Sequence, residues 1–88
     1  KIDSVYKLGY EYVLTDKLCA DSKIISTQNN LTFNNCAKYC SQNECDRFSF
    51  TPDSSACTLY RKADTVCQQS DPIDLATTKD FHYIRIGK

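Results

Sequence analysis

A chain of 88 residues with six cysteines, no methionine and no tryptophan is one small domain, whose core alone supplies roughly 3–5 kcal/mol. Eleven basic residues balance eleven acidic ones, which argues against nucleic acid, heparin-like polyanions and anionic membranes as partners. No apolar run approaches the roughly 18 residues of a membrane span, and an even cysteine count in so short a chain points to a secreted scaffold with three bridges.

Residues 1–9 are weakly patterned and are read as a lead-in or linker, with the module proper at 10–88. No leader-like segment is visible, so the expectation is a mature fragment or one module of a longer protein. Tyr10–Leu14 is rich in aromatic and β-branched residues, which favours a strand. Thr15-Asp16-Lys17 reads as a turn before Cys19, and 23–27 is a second short strand ended by Gln28-Asn29-Asn30. Thr32 is a suitable helix N-cap, with Leu31 and Cys36 at the hydrophobic-staple positions. The helix is expected to run to about Ser41, with Phe33, Cys36, Ala37 and Cys40 as its inward stripe and Asn43 closing it in a left-handed conformation.

Arg47–Thr51 alternates, with Phe48 and Phe50 on one side. Pro52-Asp53-Ser54-Ser55 reads as a turn, because proline presets one dihedral and Asp and Ser bond back to the local backbone. Ala56–Arg61 returns as the partner strand, Cys57 and Leu59 on one face, Thr58 and Tyr60 on the other. Residues 62–80 are polar and irregular, a long loop that needs an anchor, for which Cys67 is available. Residues 81–86 form a last strand, with Ile84 and Ile86 expected to face inward. The fold class is therefore α+β: one helix packed on a twisted antiparallel sheet of four to five strands, with three disulfides. Six cysteines allow 15 connectivities, and spacing does not choose among them.

The stretch from Leu31 to Arg61 resembles the PAN/apple module, the family of contact-phase clotting zymogens, the amino-terminal domain of hepatocyte growth factor and apicomplexan microneme adhesins. The matching signature is Cys36-x3-Cys40-x4-Cys45-x2-Phe48-Ser49-Phe50 followed by Cys57-Thr58-Leu59. The resemblance implies bridges Cys36–Cys57 and Cys40–Cys45, joining helix to hairpin, which leaves Cys19 for Cys67. In the family's pattern the outer cysteines lie near the ends of the module, whereas Cys19 and Cys67 lie well inside them. The resemblance also implies a non-enzymatic recognition module that binds an extracellular protein or a glycan. Such a module is one of several in a secreted or cell-surface adhesin, and its neighbouring modules are among its partners. A secretory organelle such as the microneme fits as a location. The rival expectations are a structural or self-association module and a free-standing secreted inhibitor of a protease or receptor.

Candidate chemistry is sparse. Cys36, Cys40 and Cys45 are better read as bridge members than as zinc ligands, because a zinc site needs a second close pair or histidines and His82 stands alone. No metal or other cofactor is expected. His82, between Phe81 and Tyr83, reads as a strand residue, and with only Gly9 and Gly87 present there is no nucleophile elbow. No catalytic residues are assigned. Asn30-Leu31-Thr32 is an N-glycosylation sequon as well as a helix start. Six tyrosines serve either the rim of a small core or a recognition surface. Tyr60 with Arg47 and Arg61 is the candidate ligand-binding patch, since arginine beside tyrosine is a common hot-spot pairing. The loop 62–80 is the other candidate surface.

Overall fold

A computed structural model describes residues 3–15, 17–19, 23–61, 70–72 and 79–87. In chain order the elements are β1 (Ser4–Lys7), β2 (Tyr10–Leu14), β3 (Lys17–Cys19), β4 (Lys23–Gln28), α1 (Phe33–Gln42), β5 (Arg47–Thr51), β6 (Ala56–Arg61), β7 (Ser70–Pro72) and β8 (Phe81–Gly87). Six strands form one sheet in the order β1-β2-β8-β5-β6-β4, and β3 pairs with β7 separately. Every pairing is antiparallel.

The sheet has six strands where four to five were expected, and the addition comes from the supposed lead-in. Ser4–Lys7 pairs with β2 through a two-residue turn, Lys7 opposite Tyr10. Both turn residues, Leu8 and Gly9, have positive φ (52° and 86°), as a type I′ hairpin requires. Glycine adopts that conformation freely, but leucine is not a residue from which it would be inferred.

The helix starts where the sequence places it. The Thr32 hydroxyl accepts from the Asn35 amide at 3.1 Å, and Cys36, Ala37 and Cys40 are fully buried. Its end differs: Asn43 has φ −98°, and the left-handed residue is Glu44, φ 52°. The Asn43 side chain instead turns back, its amide donating to the Tyr39 carbonyl at 2.8 Å, so its residue keeps a right-handed backbone and the reversal falls one position later.

One face of the sheet packs on α1. Phe48 is central: it stacks on Tyr83 at 5.0 Å and meets Tyr12 edge-on at 5.2 Å. From the first helical turn, Phe33 touches Phe48, Phe50 and Tyr83. Cross-strand register explains the set, because Phe48 pairs with both Leu59 and Tyr83, and Phe50 with Cys57 and Phe81. The same register corrects the expectation for β8. Its inward residues are Phe81 and Tyr83, whereas Ile84 lies beside Arg47 on the far face and Ile86 is 58 % exposed. A period-two strand offers either set to the core, and the partners on β5 decide.

The tyrosines divide accordingly. Tyr12, Tyr83 and Tyr10 are buried and Tyr6 is exposed, while Tyr39 and Tyr60 are half-buried. Burial pushes the Tyr12 phenol above its ordinary pKa, which keeps it a donor. Its hydroxyl lies 3.1 Å from Ser41 Oγ, itself 3.0 Å from the Lys7 carbonyl, so the second half of α1 is tied to the β1–β2 hairpin.

Cys36–Cys57 joins the helix to β6, and Cys40–Cys45 closes the turn after the helix, with Cα separations of 5.6 and 5.0 Å. Cys67 and the pairing Cys19–Cys67 lie outside the described residues, as does most of the 62–80 loop. Within that loop, Ser70–Pro72 pairs with Lys17–Cys19, Ser70 opposite Cys19.

The two bridges span 21 and 5 residues, for which loop-closure entropy gives about 3.4 and about 2 kcal/mol. Urea unfolding of Cys36→Ala/Cys57→Ala should therefore show a larger loss of stability than Cys40→Ala/Cys45→Ala. A larger loss from the short-range pair would contradict this ranking.

Candidate functional site

Where α1 ends, several constraints converge on one short segment. The left-handed Glu44 reverses the chain, the Cys45 amide donates to the Cys40 carbonyl at 2.9 Å, and the Cys40–Cys45 bridge closes the loop. Asp46 is then clamped by backbone on both sides: its amide donates to the Tyr60 carbonyl at 3.1 Å, and its carbonyl accepts from the Arg85 amide at 2.9 Å. The segment 44–46 is thus presented at the mouth of an open cleft of about 580 Å³, lined by Tyr10, Glu44, Asp46, Arg85, Ile86 and Gly87.

The charges in this cleft are arranged in layers. The Tyr10 hydroxyl donates to Glu44 Oε1 at 3.3 Å, and the Arg85 guanidinium lies over the Tyr10 ring, 5.1 Å from its centroid. Arg47 Nε donates to Asp46 Oδ2 at 3.3 Å, with only 12 % of the Arg47 side chain exposed. Asp46 is therefore neutralised from beneath, whereas Arg85 makes no ion pair among the described residues. Ile86 supplies an exposed apolar wall beside this polar floor. Two carboxylates, a guanidinium held by an aromatic face and an apolar wall suit a neutral or mixed-charge ligand rich in hydrogen-bonding groups.

The sequence-derived patch is only partly assembled. Arg47 and Tyr60 are cross-strand partners, but Arg47 is spent on Asp46 and Tyr60 is half-buried, its hydroxyl 3.4 Å from Ser49 Oγ. Arg61 is exposed, and strand alternation puts it on the Cys57–Leu59 side, away from Tyr60. Asn30 is exposed in the turn before α1. Glu44, Asp46 and Arg85 line the cleft but belong to no motif of the sequence. The one available signal was a charged pair flanking Cys45, next to a helix end.

On the far face His82 sits opposite Ser49. Ser49 is buried and its hydroxyl faces Tyr60, so the pair presents no accessible nucleophile. Among the described residues no group of three His, Cys, Asp or Glu could hold a metal ion. His82 Nδ1 is buried without a hydrogen-bond partner among the described residues, and burial lowers its pKa below the usual 6.5, opposed by the nearby Asp80 carboxylate.

The model for the PAN domain matches residues 9–83 of the chain. Neither the curated proteins nor the solved structures contain a match. No helix among the described residues is long and apolar enough to cross a membrane.

Because the folded state resists protonating His82, its contribution is intact above the unfolded value of 6.5 and is lost as pH falls through that value toward the lowered folded pKa. Urea midpoints between about pH 7.5 and about pH 5 should fall more for the wild type than for His82→Gln. An equal fall in both would contradict the assignment to this residue.

Proposed function

The chain belongs to the PAN domain family, and on that premise we propose that it is a recognition module whose ligand seats in the cleft between the end of α1 and β8. PAN domains are extracellular modules that bind proteins or carbohydrates and are generally non-catalytic. The module acts as one of several in a secreted or cell-surface adhesin, where weak individual sites gain avidity from their neighbours. Delivery from a secretory organelle such as the microneme fits the relatives the central motif resembles.

The observation that carries this reading is Arg85. Its guanidinium is held over Tyr10, unpaired with any carboxylate among the described residues, at the edge of an open cleft. A planar donor fixed in place loses little freedom on binding and offers several N–H groups in a rigid fork. Glu44, oriented by the Tyr10 hydroxyl, adds acceptors across the same opening. The clamped backbone of Asp46 keeps both at constant spacing, the pre-organisation that a recognition site needs.

A glycan array run beside a cell-surface binding assay tests the reading and decides between carbohydrate and protein ligands. Arg85→Gln and Glu44→Gln should each weaken binding by about tenfold or more, with the thermal melt unchanged. Undiminished binding by both variants would place the site elsewhere on the module.

A further inference from the structure

Asn30-Leu31-Thr32 is the single Asn-x-Ser/Thr sequence in the chain, and the fold presents it in an unusual way. Asn30 is exposed and sits at φ 62° between β4 and α1, a conformation that asparagine tolerates better than most residues. The residues after it are tied down: the Leu31 amide donates to the Ser55 carbonyl at 3.1 Å, and Thr32 caps the helix. The Asn30 side chain itself makes no hydrogen bond among the described residues. Beside it runs a second groove, of about 300 Å³, lined by Gln28, Leu31, Asn35, Lys38, Tyr39 and Gln42. Three amides, an ammonium and a tyrosine around one leucine match the alternating hydroxyl and C–H surface of a sugar.

We propose that Asn30 carries an N-linked oligosaccharide whose first sugars lie along this groove. In the transfer, Asn30 Nδ2 bonds to the anomeric carbon of a polyprenyl-diphosphate-linked oligosaccharide. The bond from that carbon to the diphosphate oxygen breaks, the amide gives up one proton, and the lipid diphosphate leaves. The Thr32 side chain serves both requirements, completing the acceptor sequence in the nascent chain and accepting the Asn35 amide once folded. The attachment point stands at the opposite end of α1 from the ligand cleft, about 15 Å away for ten residues, and the groove itself includes none of the cleft's lining residues. The glycan also stands at the carboxyl end of β4, an edge strand of the six-stranded sheet, where it hinders pairing with another chain.

This inference rests on the extracellular reading above, and one expression experiment separates the two. The chain is secreted from cultured insect cells behind a signal peptide, and its intact mass is measured before and after peptide N-glycosidase treatment. Wild type and Thr32→Ser should lose a glycan mass, and Asn30→Asp should show none. Acetylation of Lys38 should be several-fold slower in the glycosylated form than after enzymatic release. A secreted, disulfide-bonded wild type without a glycan at Asn30 overturns the proposal and leaves the recognition reading intact. A glycan that leaves Lys38 reactivity unchanged overturns its placement in the groove. A wild-type chain retained in the cell with reduced cysteines overturns the extracellular reading itself.

Discussion

The covalent tie between Cys36 and Cys57 holds α1 against the sheet. Helix α1 is poorly suited to stand alone: it has ten residues, two asparagines in its first turn, no acidic residue there and no basic residue in its last turn. Isolated helices of that length are marginal even with favourable composition. The bridge fixes its second turn to β6 with both cysteines fully buried. Phe33, one turn earlier, is thereby delivered into the cluster of Phe48, Phe50 and Tyr83. Helix propensity contributes little in this domain. Cross-linking and aromatic packing hold the helix.

A consequence follows for the cleft at the other end of α1. Because the helix is anchored in its middle by one bridge and at its end by the next, Glu44 and Asp46 have almost no positional freedom. The backbone ladder then carries that order across three strands, from Tyr60 on β6 through Asp46 to Arg85 on β8. Each charged group is oriented by a neighbour of a different kind: a hydroxyl for Glu44, a guanidinium for Asp46, an aromatic ring for Arg85. The scaffold is rigid where the ligand is proposed to sit, and the far face, with its exposed Ile24, is left to other contacts.

Much of the fold was legible in residue pattern. Thr32 announced the helix, and the alternation of Phe48 and Phe50 against Cys57 and Leu59 announced the hairpin, because local chemistry and burial agree there. What was not legible depended on partners distant in sequence. The first strand exists because Leu8 accepts a strained turn in exchange for pairing with β2. Facing on β8 could not be read from Ile84 and Ile86, since apolar residues occupy both of its faces and only the register against β5 selects Tyr83. The cleft was hidden for a related reason. Arg85 and Tyr10 are 75 positions apart and meet only when β8 inserts between β2 and β5. Arg47, placed in the binding patch by its position beside Tyr60, also donates to Asp46, its neighbour in sequence.

The four cysteines that clamp α1 are well placed for peptide mapping of the Cys36–Cys57 and Cys40–Cys45 bridges. Trypsin cuts after Lys38, Arg47 and Arg61, and a glutamate-specific protease cuts after Glu44, which together place Cys36, Cys40, Cys45 and Cys57 on separate peptides. Non-reducing peptide mapping of the native, oxidised protein by mass spectrometry should recover Cys36 linked to Cys57 and Cys40 linked to Cys45. Recovery of Cys36 linked to Cys40 or Cys45, or of free thiols at these four positions, would contradict this pairing.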